Sequence, residues 1–224
     1  MSLLSQIFSN ESTYKKDFFI NLMNRPFIHP LRMENFKNDL RYICTLNFKP
    51  DIARPMLLSI RNVIITNINN KDIYCEEILY ILLKYYNSDY LVLKELVLTS
   101  LCYLMNNSEI LNENILNSHE IDFVNNLNTF LNRKILFSHE FLHTVFMLMN
   151  KNKSHFDNRF YKTLFSIFID LKDPFLSSRS IETLNNLATS EEIKNILPES
   201  KPKLCIYKRN NNTIKSFINK YYSN

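Results

Sequence analysis

Residues 168–197 read FIDLKDPFLSSRSIETLNNLATSEEIKNIL, and this stretch is the clearest sequence signal of the fold. Apolar residues recur at three- and four-residue steps on both sides of the pair Asp173 and Pro174, which predicts two helices separated by a turn. A third, shorter helix is predicted after Ser190, because two glutamates follow that serine where a first helical turn favours acids. The stretch therefore predicts a medium, a long and a short helix in succession.

The same apolar spacing continues through most of the chain. Strict alternation of apolar and polar residues, which is typical of strands, is scarce, so the sequence predicts an all-α protein. Six of the seven prolines lie before residue 56 or after residue 197, and the seventh is Pro174. Serines with the properties of N-caps are expected to begin helices at Ser12, Ser118, Ser138, Ser177 or Ser178, and Ser190.

The three-helix pattern repeats along the chain. Three long helices end alike, and their equivalent leucines, Leu104, Leu148 and Leu187, are 44 and 39 residues apart. Self-similarity at such a period is typical of helical repeat proteins, so a repeat of about 40 residues is predicted. Related but weaker helical patterns are expected at 33–46 and 54–66.

With these motifs the chain resembles the armadillo family. Residues 168–197 show the family's Asp-Pro turn, a long helix closing on L-x-N-L-A, and a short acidic helix, while 108–150 and 76–104 follow the plan less faithfully. The resemblance implies a right-handed α-solenoid of three-helix repeats over 76–197. Degenerate repeats are then expected in 1–75, and a basic tail or capping helix in 198–224. The chain departs from the family because it lacks the glycine between the first two helices of a repeat.

The resemblance also implies a function and a set of surface positions. In armadillo proteins the long helix lines a groove that binds other proteins, so we expect a non-enzymatic interaction scaffold without cofactors. A single groove asparagine and the absence of tryptophan argue against a nuclear-import receptor and favour docking of a helix or a globular partner. The positions that match the groove are Thr99, Tyr103, His143, Met147, Glu182 and Asn186.

A second resemblance covers the sequence from Leu93 to the end. It is similar to the helical-repeat core at the C-terminus of the large AT-rich-interaction subunits of SWI/SNF-type chromatin remodellers, where the repeat assembles other subunits. This resemblance implies a subunit of a larger, nuclear complex.

Composition excludes several other classes of protein. Glycine is absent, which excludes phosphate-binding loops of the P-loop and Rossmann kind, since these need residues without a Cβ. The four cysteines form no CxxC pair, the N-terminus lacks a signal-peptide pattern, and no apolar run reaches the 18 or so residues needed to span a bilayer. We therefore expect an intracellular protein, cytoplasmic or nuclear, with no membrane segment.

Charge is concentrated at the C-terminal end. The last 24 residues contain six basic and no acidic side chains, which leaves the first 200 residues at −1 (21 basic, 22 acidic) out of a formal total of +5. Nucleic-acid binding is the alternative function, since lysines contact phosphates and Tyr207, Phe217, Tyr221 and Tyr222 can stack on bases. A solvated terminal helix explains the same charges. The basic residues are Lys201, Lys203, Lys208, Arg209, Lys215 and Lys220.

One short stretch suggests a quite different activity. HEFLH, residues 139–143, matches the HExxH signature of zinc metalloproteases, in which two histidines bind the metal and the glutamate is the general base. The further zinc-binding extension fails, because phenylalanine and methionine stand at its Gly and His positions, which leaves only His155 or Glu182 as a distant third ligand. A helix capped by Ser138, with Glu140 at the positive end of its dipole, accounts for the stretch without a metal.

Overall fold

The computed structural model describes residues 33–133, 135–205, 208 and 210–222. The regular elements of this part of the chain are all helices, which confirms the all-α prediction. The expected helix start at Ser12 lies outside the described residues. The α-helices are α1 Met33–Cys44, α2 Pro50–Thr66, α3 Glu76–Tyr86, α4 Leu91–Asn107, α5 Glu109–Leu116, α6 Phe123–Leu131, α7 His139–Lys151, α8 Asn158–Asp170, α9 Pro174–Leu187, α10 Ser190–Ile196 and α11 Asn212–Tyr222.

The chain divides into two compact units between Asn112 and Glu113. The first unit contains α1 to α4, the second contains α6 to α11, and α5 crosses the division. The division falls inside the stretch 76–197 that the sequence assigns to continuous repeats.

In the first unit, α1 and α3 lie side by side and run parallel. Lys37 forms an ion pair of 3.2 Å with Asp72 just before α3, and Arg41, one turn further along α1, lies 2.7 Å from Glu77. Helix α4 packs against both α2 and α3. The Tyr74 hydroxyl donates to the carbonyls of Ile68 and Asn107, so the C-terminal ends of α2 and α4 also lie together.

The second unit repeats this arrangement. Helices α6 and α8 run parallel, because Thr163 donates to Asn132 at 2.9 Å and Arg159, one turn earlier on α8, donates to Asn125, about two turns earlier along α6. Helix α9 packs against α7 and α11, and α8 packs against α6 and α10. The Ser180 hydroxyl donates to the Leu164 carbonyl at 2.7 Å, and Ser177 donates to Leu171 at 3.2 Å, so α8 and α9 are antiparallel. Both units thus contain parallel helices two apart in sequence, and in the second unit the neighbours α8 and α9 are antiparallel.

Large apolar side chains fill the space between the two layers of the second unit. Phe130 of α6 and Phe141 of α7 meet edge to face with ring centroids 5.6 Å apart, and both are fully buried. Burial of one such ring contributes on the order of 1.5–3 kcal/mol, and the ring pair adds about 0.5–1.5 kcal/mol. The other phenylalanines that are buried to the same extent are Phe123, Phe160 and Phe168.

Asparagine closes the helices of this glycine-free chain. Four side-chain amides, on Asn67, Asn107, Asn132 and Asn152, each donate to the carbonyl four residues earlier at 2.8–2.9 Å. Asn67, Asn132 and Asn152 also donate their backbone amides to the same carbonyls, so each side chain adds a second donor at the end of its helix. The positive φ found in the described residues is that of Asp122, a residue type that tolerates this conformation.

The expected helix starts are partly confirmed. Ser138 caps α7, whereas α10 is capped one residue earlier than expected, by Thr189. The expectation at Ser177 or Ser178 is wrong, because α9 begins at Pro174, where the carboxylate of Asp173 accepts from the Leu176 amide at 2.7 Å.

Two further sequence expectations fail for local reasons. The Ser118 hydroxyl accepts from the Ile121 amide at 3.3 Å and closes only a turn, and α6 begins later, at Phe123. The short helix expected after α7 is a 3₁₀ turn, Lys153–His155.

Candidate functional site

Helix α7 presents a row of polar and apolar side chains on one exposed side. His139, His143, Met147 and Asn150 recur at steps of four and three residues, so they share a helical face. Met147 is 50% exposed, a high value for so large an apolar side chain. The opposite side of α7 is buried through Phe141, Leu142, Thr144, Val145, Phe146, Leu148 and Met149.

Helix α9 presents a corresponding row. Phe175, Arg179, Glu182 and Asn186 recur at steps of four and three residues, and Phe175 is 53% exposed. The Arg179 guanidinium lies over the Phe175 ring, 5.6 Å from its centroid, and its Nη1 is 3.3 Å from Oε2 of Glu182. These contacts hold the long Arg179 side chain along the helix surface.

A hydrogen bond sets the two rows in register. The side-chain amide of Asn186 donates to the side-chain oxygen of Asn150 at 3.0 Å, across a separation of 36 residues. The Asn150 amide in turn donates to the Thr183 hydroxyl at 3.1 Å. Because α7 and α9 are parallel, the same offset brings His143 level with Arg179. We call these two rows the α7–α9 face, defined by His139, His143, Met147, Asn150, Phe175, Arg179, Glu182 and Asn186.

Four of the six predicted groove residues, His143, Met147, Glu182 and Asn186, lie on this face. Aligning the two repeats on Leu148 and Leu187 makes Met147 the equivalent of Asn186. In the structure, however, the residue that contacts Asn186 is Asn150. The other four residues of the face, His139, Asn150, Phe175 and Arg179, are missing from the predicted set. Arg179 and Phe175 could have been predicted from the sequence, because they precede Glu182 at steps of three and four residues and so share its helical face.

The remaining two groove residues lie on α4, in the first unit. Thr99 is 1% exposed and its hydroxyl donates to the Glu95 carbonyl at 2.7 Å, so it is not accessible to a partner. Tyr103 is half-buried, and its carbonyl accepts from the Asn107 amide at 2.8 Å.

The HEFLH stretch forms the beginning of α7. The Ser138 hydroxyl accepts from the Phe141 amide at 3.2 Å, and Glu140 lies in the first turn. The Nε2 atom of His139 lies 3.3 Å from Oδ2 of Asp173, the residue that caps α9. This contact joins the beginnings of the two parallel helices. In the part of the chain that the structure describes, no group of three or more His, Cys, Asp or Glu side chains is placed to hold a metal ion.

The basic C-terminal residues separate into exposed and buried groups. Lys201, Lys203, Lys215 and Lys220 are exposed, while Arg209 and Tyr207 lie outside the described residues.

Lys208, by contrast, is only 2% exposed. Its ammonium donates to the carbonyls of Phe168 and, at 2.9 Å, Ile169, near the C-terminal end of α8. Burial lowers the pKa of the Lys208 ammonium. A cation near a helix C-terminus is favourable, so this lysine has a structural role.

The first unit uses a lysine in the same way. The Lys84 ammonium donates to the carbonyls of Cys44 and Leu46 at 3.1 and 2.6 Å, at the C-terminal end of α1. Both lysines therefore cap a helix from a later segment.

The aromatic residues of the C-terminal segment are largely occupied by contacts within the protein. Phe217 is 2% exposed and its ring packs against those of Phe165 and Phe168, with centroids 6.5 and 6.0 Å away. The Tyr221 hydroxyl donates to the Ser190 hydroxyl at 3.4 Å, and Tyr222 is half-buried. Phe217 is thus a core residue and offers no ring face to a nucleic-acid base.

Two of the cysteine thiols, those of Cys75 and Cys102, do not have the properties of nucleophiles. All four cysteines are free, and burial raises the pKa of Cys75 to about 11 and that of Cys102 further. Because the thiolate is the reactive form, these two thiols are inert at neutral pH.

Comparison with known proteins finds no family model, no curated protein and no solved structure that matches the chain. Among the helices in the described ranges, none has the length and apolar character required to cross a membrane.

Proposed function

We propose that this protein is a non-enzymatic interaction scaffold built from armadillo-like repeats, and that a partner protein docks on its α7–α9 face. The observation that carries the proposal is the pair of exposed rows held in register by the Asn150–Asn186 hydrogen bond. A flat helical surface fixed in this way is preorganised, which lowers the entropic cost of binding.

The packing within each unit supports the repeat assignment. Helices two apart in sequence run parallel in both units, as α1 does with α3 and α6 with α8, and the neighbours α8 and α9 are antiparallel. Stacked helix pairs of this kind are typical of α-solenoids, which use their extended surfaces for binding. The sequence resemblance to armadillo proteins supports the same assignment.

The side chains of the face are those that protein interfaces favour. Met, aromatic residues and Arg are enriched at such interfaces. Arg179 lies over the Phe175 ring, and the exposed Met147 belongs to the same α7–α9 face. Glu182 and Asn186 supply polar contacts beside them. A partner with an apolar helix face and an acidic residue facing Arg179 suits this surface. The second sequence resemblance extends the proposal to a subunit of a nuclear, chromatin-remodelling complex.

Co-purification from the native source, followed by mass spectrometry, tests the proposal. We expect a stoichiometric protein partner with the wild-type chain and its loss with Met147→Arg or Asn186→Arg. The matched control is Asn195→Arg, the same kind of change at an exposed position on α10. Equal recovery with all three variants, or isolation of the chain alone as an active hydrolase, would contradict the scaffold.

Nucleic-acid binding is the second candidate, and four exposed lysines favour it: Lys201, Lys203, Lys215 and Lys220. Phosphate contacts by these residues predict an affinity that falls steeply with salt. Replacing all four with glutamine, while keeping Lys208 and the buried side of α11, tests this without disturbing the core. Absence of binding to DNA and RNA at low salt would exclude the candidate.

A further inference from the structure

The C-terminal segment forms a cleft that the α7–α9 face does not include. It has a volume of about 460 Å³ and lies between residues 201–204 and helix α11. Its floor consists of Leu204, Ile214 and Ile218, which are at most 9% exposed. Its volume falls within the roughly 300–1,000 Å³ typical of ligand sites.

Three exposed lysines stand around this apolar floor. Lys201 and Lys203 line the cleft and are exposed, while Leu204 beside them is buried. Lys215 follows Ile214 on α11 and completes the rim. No aspartate or glutamate is found among the described residues that line the cleft. The rim therefore carries a positive potential that its own lining does not offset.

We propose that this cleft binds an acidic peptide segment of a partner protein, with aliphatic side chains on the floor and carboxylates paired with the three lysines. The apolar floor distinguishes this occupant from a free phosphate, which gains nothing from contact with leucine or isoleucine. It also distinguishes the occupant from a single-stranded nucleic acid, whose bases stack on aromatic rings. No aromatic ring is found among the described lining residues.

The test measures fluorescence anisotropy of a labelled peptide, EDLDELLDE, with the full-length protein. We expect saturable binding that weakens at least about fivefold with Lys203→Glu or Lys215→Glu, because each reversal places like charges together. Lys162→Glu, on an exposed side of α8, makes the same change in net charge and is expected to leave the affinity unchanged. Circular dichroism establishes that all three variants keep their helical content.

Two further probes separate this proposal from its rivals. The peptide EDSDESSDE keeps the charge but lacks the leucines, and we expect it to bind at least about fivefold more weakly. Equal binding of both peptides, an equal loss with Lys162→Glu, or no saturation below about 1 mM would overturn the proposal. Displacement of the peptide by oligothymidylate at lower concentration than by unlabelled peptide would also overturn it and assign the cleft to nucleic acid.

Discussion

The side-chain amide of Asn186 donates a 3.0 Å hydrogen bond to the side-chain oxygen of Asn150, which stands at the end of the preceding long helix. The side-chain amide of Asn150 in turn donates a hydrogen bond of 3.1 Å to the Thr183 hydroxyl. One side chain thus joins two positions of α9 and sets the register of the α7–α9 face.

Removal of the Asn150 side chain is expected to destabilise the protein. Asn150→Ala removes two hydrogen bonds, one of them to the buried Thr183, and is expected to lower the free energy of unfolding by about 1–2 kcal/mol. Urea denaturation followed by circular dichroism measures the change. Asn185→Ala replaces an exposed asparagine on α9 and is expected to cost no more than about 0.5 kcal/mol. Similar losses in both variants would show that the pair does not hold the register.

Lys208 is expected to matter for stability more than the other C-terminal lysines. Lys208→Met removes the donor to the carbonyls of Phe168 and Ile169, and leaving buried polar groups unsatisfied costs about 1–3 kcal/mol. Part of this cost is offset because the variant no longer buries a charged ammonium group. Lys215→Met, at an exposed site, is expected to change the free energy of unfolding by at most about 0.5 kcal/mol. Chemical denaturation of both variants provides the comparison, and a neutral Lys208→Met would refute the capping role.

The capping box of α10 predicts a pH dependence of stability. The Glu192 carboxylate accepts from the backbone N–H of Thr189 at 2.8 Å and from its hydroxyl, and these bonds lower the pKa of Glu192 below its ordinary 4.5. A carboxyl group whose pKa is lowered by folding contributes stability that is present above pH 4.5 and lost as the pH falls through the folded-state pKa. We therefore expect wild type to exceed Glu192→Gln in stability at pH 7, and the gap to close as the pH falls through the folded-state pKa of Glu192.

Glu191 provides the matched control for this measurement. It lies in the same first turn but is not the residue that completes the capping box. The gap between wild type and Glu191→Gln is expected to be smaller at pH 7 and to vary less with pH. If the stability difference between wild type and Glu192→Gln does not change with pH, the Glu192 carboxylate is not the group that stabilises the helix start.

The HEFLH stretch is expected to affect stability and not metal content. Ser138→Ala removes the cap of α7 and is expected to cost about 0.5–2 kcal/mol. Metal analysis of the purified protein is expected to show no stoichiometric zinc, and His143→Ala is expected to change neither metal content nor helicity. One equivalent of zinc that disappears in His139→Ala would instead establish a metal site.

Most helices were predictable from the spacing of their apolar residues, because they bury one side; α4 is the exception, since Leu96–Cys102 are all buried. The helices predicted at 33–46 and 54–66 occur as α1 and α2, and α2 begins earlier, at Pro50. Proline at the first position of a helix needs no hydrogen-bond partner for its nitrogen, so Pro50 starts a helix that the pattern places later. Helix ends were harder to predict, because several residues near each end have side chains suitable for capping. Asp173 is the N-cap of α9, while Ser177 and Ser178 are buried within the helix.

The candidate site was only partly predictable. His143, Met147, Glu182 and Asn186 follow from their place on long helices, but the register between helices depends on contacts between distant side chains. Aligning the repeats on Leu148 and Leu187 does not predict that Asn150 contacts Asn186. Likewise, charge counting assigned Lys208 to a basic tail, since a sequence does not show that an ammonium lies against the carbonyls of a helix 40 residues earlier.

Site-specific photo-crosslinking in native extract tests the central claim most directly. A photoreactive amino acid at position 147, on the α7–α9 face, is compared with the same residue at position 162, on an exposed side of α8. We expect one dominant protein adduct from position 147, absent from position 162 and suppressed by Asn186→Arg. Identical adducts from both positions, or none from position 147, would contradict the assignment of this face as the docking surface.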